Sequence, residues 1–177
     1  MSRFSILEID EPIQQGAQQE VTGEQIRDAK DFLCQAVKSY WFADYELALQ
    51  FFSKALEFDP NNKTALVGQV RALINLNEFK EASLWADKGI EIVGEIPELI
   101  GMKAVASCRM GDISMAYALS DVSLEKQGNS PFVWLCRGEV LLQQQKKNAE
   151  FCFQKAQSFS SSWEIPVEIA KIYQFYG

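Results

Sequence analysis

The sequence predicts an all-α fold, an α-solenoid stacked from antiparallel helix hairpins. Three observations predict it. Alanines fall at Ala48, Ala82 and Ala116, 34 residues apart each time, with matched neighbours on both sides. Each unit holds two stretches of about 12–14 residues whose apolar positions recur near a period of 3.6. Strand signals are sparse, the one β-like stretch being Arg3–Ile9.

Taken in order, residues 1–28 form an acidic leader with six acids and two bases. It is rich in glutamine (Gln14, Gln15, Gln18, Gln19, Gln25) and punctuated by Pro12, Gly16 and Gly23, a composition that predicts partial flexibility. Thr22 followed by Gln25 resembles a capping box and predicts a helix starting near Gly23. The first unit, 29–62, has a small residue at Ala36, a turn at Ala43-Asp44-Tyr45 and small residues at Ala48 and Ala55. In Tyr45–Phe58, residues Leu47, Ala48, Phe51, Phe52, Ala55 and Leu56 make one apolar stripe. Pro60 removes a donor and stops the helix, while Asp59, Asn61 and Asn62 offer turn and capping oxygens.

The second unit, 63–96, repeats the pattern with Val70, Asn77-Glu78-Phe79, Ala82, Gly89 and Gly94. The third, 97–130, does so with Ala104, Gly111-Asp112-Ile113, Ala116, Ser123 and Gly128. The fourth, 131–163, has one residue fewer in its turn and carries Gly138, Ala149, Phe153 and Ala156. In 164–177, Ile169, Ala170, Tyr173 and Gly177 have the spacing of a first helix ending at its turn, either a partial fifth unit or a capping helix. Small residues let the two helices of a hairpin approach closely. Stacking the hairpins then buries a continuous core.

Composition narrows the chemistry. The 177 residues include 24 acids, 17 bases, four cysteines and no histidine, for a formal charge of −7. Most of that charge is the leader's. A net negative chain disfavours a diffuse basic surface for nucleic acid. Without histidine there is no Ser-His-Asp triad, no Cys-His pair and no imidazole base. The acids and lysines fall on exposed helix faces, so the expectation is no enzyme, no cofactor and no metal site. Cys34, Cys108, Cys136 and Cys152 form no CxxC pair and read as free thiols of a reducing cytoplasm. No stretch has a signal-peptide core or the ~18 apolar residues of a membrane span, so a cytoplasmic chain without a membrane partner is expected.

The repeat pattern resembles the tetratricopeptide repeat family over about residues 29–177. The first unit carries the resemblance best, through Phe32, Ala36, Tyr45, Ala48, Phe52, Ala55 and Pro60. The third departs most, with Ser120 and Ser123 in place of an aromatic and an alanine. Gln35, Gln69, Lys103 and Arg137 stand where the family usually has leucine. The resemblance implies a right-handed superhelix whose first helices line a concave groove. It also implies the groove residues: Leu33, Val37, Tyr40, Trp41, Val67, Arg71, Ile74, Met102, Val105, Arg109, Phe132, Leu135 and Leu142. Mostly apolar, they predict a contiguous interface patch anchored by Tyr40, Trp41 and Phe132. Arg71 and Arg109 either hold a partner's carboxylate or phosphate, or pair with Glu98 or Glu139 across repeats.

The family's carboxylate clamp for chaperone C-termini is not expected, because Leu33, Val37, Glu98 and Met102 stand at its positions. The implied function is a non-catalytic protein-interaction scaffold holding a partner's peptide or helix. The alternative is a small acidic chaperone, like those of bacterial secretion systems, holding a hydrophobic client. Two further expectations concern the ends. The leader's Phe4, Ile6, Leu7 and Ile9 could fill the groove in cis. Ile169, Ile172, Tyr173 and Tyr176 would be left uncovered, predicting a fragment of a longer chain or self-association through this end.

Overall fold

The structure, a computed structural model, describes residues 23–126 and 129–177. Among the described residues there are nine helices and no strand: α1 (Gly23–Trp41), α2 (Tyr45–Phe58), α3 (Lys63–Asn75), α4 (Phe79–Val93), α5 (Pro97–Arg109), α6 (Ile113–Lys126), α7 (Pro131–Leu142), α8 (Lys146–Phe159) and α9 (Glu164–Tyr176). They form an all-α helical repeat solenoid of four hairpins followed by α9. The β-like stretch Arg3–Ile9, the leader's apolar cluster, Thr22 and the helix stop Gly128 lie outside the described residues.

The hairpin turns are copies of one another for a local reason. Ala43, Asn77 and Gly111 all adopt positive φ, at 60°, 63° and 87°. Each sits just past a first helix, and the backbone closes on it the same way. Ala43 N–H reaches the Tyr40 carbonyl and Asp44 N–H the Ser39 carbonyl, a pair of bonds repeated at Asn77 and Glu78 and again at Gly111 and Asp112. This is the Schellman motif, which satisfies carbonyls the helix end would otherwise orphan. Asp44 and Asp112 then cap the next helix by accepting from the Leu47 and Met115 amides, while Asn62 caps α3 through the Ala65 amide at 3.0 Å. The fourth turn, one residue shorter, has neither a left-handed residue nor the longer of the two bonds.

Packing follows the small-residue columns. Ala36, Ala48, Ala55, Val70, Ala82, Ala104, Ala116, Ala149 and Ala156 are all fully buried at the helix crossings. Phe52 lies against Gly68, where an added Cβ would run into the ring, and Phe153 lies against Gly138 in the same way. The aromatic in one helix therefore fits only because its neighbour has no side chain.

The C-terminal helix differs from the expectation of an uncovered end. α9 packs on α7 and α8 and turns its apolar residues inward. Ile165 and Ile172 are buried at 1% and 5% exposure, and Ile169 and Tyr176 are half-buried in the same cluster. Tyr173 stays partly exposed, edge-on to Phe153. The reason is an apolar surface within reach: α9 covers its own side chains on the inner face of the first helices.

Candidate functional site: the inner groove

The first helices α1, α3, α5 and α7 carry all the groove residues named from sequence, and the structure brings them to one inner face. They do not remain one exposed patch. Tyr40, Ile74, Met102, Val105, Leu135 and Leu142 are buried. Arg71 and Arg109 keep 15% and 8% of their side-chain exposure. Leu33, Trp41, Val67 and Phe132 are half-buried, and Val37 is exposed. What divides the groove is α9, whose side chains reach across it.

Those contacts involve every hairpin. Tyr40 Oη donates to Glu168 Oε1 at 3.1 Å, and Asn75 Nδ2 donates to Tyr40 Oη at 3.0 Å. Arg71 Nη2 lies 3.2 Å from the same Glu168 oxygen. Lys171 sits over the rings of Tyr40 and Trp41, and Trp163, just before α9, stacks edge-on to Trp41 at 4.8 Å. Phe175 meets Phe79 edge-on and lies under the Arg109 guanidinium at 4.0 Å. Tyr176 Oη donates to Glu139 Oε1 at 3.3 Å and lies 3.6 Å from Cys108 Sγ.

Two buried charge clusters result. Arg109 Nε donates to Glu139 Oε1 at 2.6 Å, the cross-repeat pairing that was one of the two sequence expectations. Burial pushes the Glu139 carboxyl above its ordinary value, against the opposing pull of Arg109 and of the Arg109 and Tyr176 hydrogen bonds. Arg71 pairs with Glu168 rather than with Glu98, which instead accepts from Ser130 Oγ at 2.9 Å. The Arg71 guanidinium is also held between rings: Tyr40 at 4.6 Å, Trp41 at 5.6 Å and Phe132 at 4.4 Å. Burial works against its charge, but Tyr40 and Glu168 outweigh that effect and keep it cationic. Burial likewise pushes the Tyr40 phenol up, so it serves as a neutral donor.

The half of the groove that α9 leaves open is a cavity of about 510 Å³. Val37, Tyr40, Trp41, Val67 and Phe132 form its walls, Phe52 and Gly68 lie beneath, and Lys63, Thr64, Arg71 and Glu98 bring polar groups. The half beneath α9 is nearly filled, with about 40 Å³ left between Ile74, Met102, Val105, Leu135, Cys136 and Ile172. No group of His, Cys, Asp and Glu able to hold a metal occurs among the described residues. No described helix is long and apolar enough to cross a membrane.

Comparison with known proteins bears on this geometry. Residues 43–106 match the tetratricopeptide repeat family, and solved tetratricopeptide structures superpose on the hairpin stack.

Residues 43–106 carry tetratricopeptide repeat sequence.

A thermophilic tetratricopeptide protein of Thermus thermophilus aligns at 20% identity with a TM-score of 0.66, over 84% of this chain and 83% of that one. A tetratricopeptide protein of Parabacteroides merdae aligns at 21% identity and a TM-score of 0.63, over 84% of this chain and 59% of its own. YrrB, described as a tetratricopeptide protein with an unusual peptide-binding site, aligns at 19% identity and a TM-score of 0.53, over 86% of this chain and 80% of that one. Among curated protein sequences, none matches significantly. At these identities the likeness is one of fold.

The polar residues standing in the tetratricopeptide leucine column have separate explanations. Lys103 pairs with Asp87 at 2.6 Å, and Arg137 donates to Ser120 Oγ at 2.5 Å and pairs with Asp121 at 2.6 Å. In the third repeat the serines that replace an aromatic and an alanine thus accept or donate polar contacts, Ser123 Oγ donating to the Pro97 carbonyl at 2.7 Å. Gln35 is exposed. Gln69 is fully buried, and neither end of its amide has a hydrogen-bond partner among the described residues.

Sequence reasoning missed Trp163, Glu168, Lys171 and Phe175. One signal was available: the last helix, Glu164–Tyr176, carries an apolar stripe through Ile165, Ile169, Ile172 and Tyr176. A stripe of that kind needs a surface to cover it.

Proposed function

We propose that this chain is a non-catalytic interaction scaffold that holds a short segment of another protein in the open half of its inner groove. The observation that carries the reading is the 510 Å³ cavity, which pairs apolar walls with the cationic side chains of Arg71 and Lys63. Aromatic and arginine side chains at the centre of a concave apolar surface are the residues that typically anchor a partner. A peptide-binding site is described for YrrB, which shares the fold. The alternative of a chaperone holding a long hydrophobic client is less well supported, since α9 covers the apolar residues of α5 and α7 that such a client would need.

The test is affinity capture from the native cell with wild type beside Trp41→Ala and Phe132→Ala, followed by titration of the recovered partner's segments. Both substitutions should weaken the same partner about tenfold or more, since truncating a buried aromatic anchor costs ~2 kcal/mol. Equal recovery by all three folded proteins would remove the groove as the site.

A further inference from the structure

Arg71 stands where the two halves of the groove meet. Together with Tyr40 and Phe132 it lines both the open cavity and the one filled by α9. Its Nη2 is shielded from solvent, yet makes no hydrogen bond among the described residues. The Glu168 carboxylate at 3.2 Å is a charge partner only. That carboxylate is itself overcommitted: the one oxygen near Arg71 also accepts from Tyr40 at 3.1 Å and Lys171 at 3.0 Å. Arginine binds carboxylates best through two parallel bonds, and here that arrangement is unused.

The surroundings favour an acidic visitor. Lys63 lines the open cavity, and Lys30 and Lys38 border the shallower one beside it. The acid on the wall, Glu98, is bonded to Ser130. A locally cationic groove in a chain of net charge −7 selects acidic partners from the crowd. α9 displays the rest of the code on one helical face: Ile165, then Glu168 one turn on, then Ile172 and Tyr176. Only Ser160, Ser161 and Ser162 with Trp163 join α9 to α8.

We propose that the groove accepts a partner's acidic amphipathic helix of the α9 type in exchange for α9, with Arg71 passing from Glu168 to the partner's carboxylate. The proposal rests on the groove reading above and adds its partner class and its regulation. α9 is then a resident occupant. Its short tether gives it an effective concentration in the millimolar range, which a free helix must overcome. Weakening the Glu168 contact lowers that barrier without touching the groove.

The experiment uses a fluorescein-labelled peptide of residues 161–177 added to the full chain. Anisotropy reads binding, and hydrogen exchange of residues 164–176 of the unlabelled chain reads release of α9. The Glu168→Gln chain should bind the peptide about tenfold more tightly than wild type does, within the usual range of coupling between sites. A peptide bearing Glu168→Gln should lose that gain, and α9 of the chain should exchange faster once the peptide is bound. Equal affinity of the two peptides would overturn the proposal. So would binding that leaves α9 protected, although that result would keep the open cavity as a docking site. Should Glu168→Gln lose its cooperative melt, Trp163→Ala in the intact chain reads the same point. It removes the contact with Trp41 from the resident helix's tether and leaves the groove unchanged, so peptide binding must rise about fivefold, and an unchanged affinity would refute the exchange.

Discussion

Replacing Arg109 by methionine removes a charge from a place that water barely reaches. Arg109 keeps 8% of its side-chain exposure and Glu139 4%, and they meet at 2.6 Å. Methionine keeps an apolar stem of similar reach but removes the guanidinium that lies over Phe175 and leaves Glu139 with the Tyr176 hydroxyl. A buried carboxylate without its cation escapes by binding a proton, so the cost depends on pH. Burial already holds the folded-state pKa of Glu139 above the ordinary value, and loss of Arg109 raises it further.

An acid raised in this way contributes its full stability below its unfolded pKa, near ~4.3, and loses it as pH climbs toward the folded pKa. At about 1.36 kcal/mol per pH unit, the interval from there to neutrality caps the ionisation penalty at ~3.7 kcal/mol. The intact pair bears part of that already, so the expected loss is ~2–3 kcal/mol at pH ~7 and under half of that at pH ~5.5. In a chain of this size the loss at neutral pH lowers the melting temperature by roughly 4–12 °C.

Urea unfolding followed by far-ultraviolet circular dichroism at the two pH values measures this directly. The double substitution Arg109→Met with Glu139→Leu should recover most of the loss, because it removes the stranded carboxylate as well. A loss of equal size at both pH values, or a double variant as unstable as the single one, would show that lost packing and not the carboxylate is responsible.

Two other outcomes are expected. Gln69→Leu should stabilise the chain by ~1–2 kcal/mol, seen as a higher urea midpoint at unchanged slope, because it removes a fully buried amide without partners among the described residues; a lower midpoint would mean that the amide is satisfied in solution. A thiol reagent should label Cys34, which is exposed, well before the three buried cysteines, whose thiols burial pushes up. Mass spectrometry locates the label, and early modification of Cys136 or Cys152 would contradict the packing described.

The hairpins were legible because the information that makes them is local. An alanine column, a turn residue able to take positive φ and a capping oxygen each act within a few residues of themselves, as Ala43, Asn77 and Gly111 do. The groove residues were legible one step further, since a regular repeat turns equivalent positions to one face. The Arg109–Glu139 pair lay within reach of that reasoning because both residues occupy equivalent faces of neighbouring first helices. The partner of Arg71 did not. Glu168 is 97 positions away, and no period connects a last helix to the first and second hairpins.

The sequence by itself thus determined the all-α stack, its turns, its small-residue crossings and the list of side chains on the inner face. Only the tertiary structure decided how much of that face is available. Local pattern specifies which face of a helix is apolar, whereas what covers it depends on the curvature of the whole stack and on where the chain returns. Here the curvature brings α9 close enough to hydrogen-bond Tyr40 and ion-pair with Arg71. A helix carrying buried Ile165 and Ile172 gains more by seating there than by facing water.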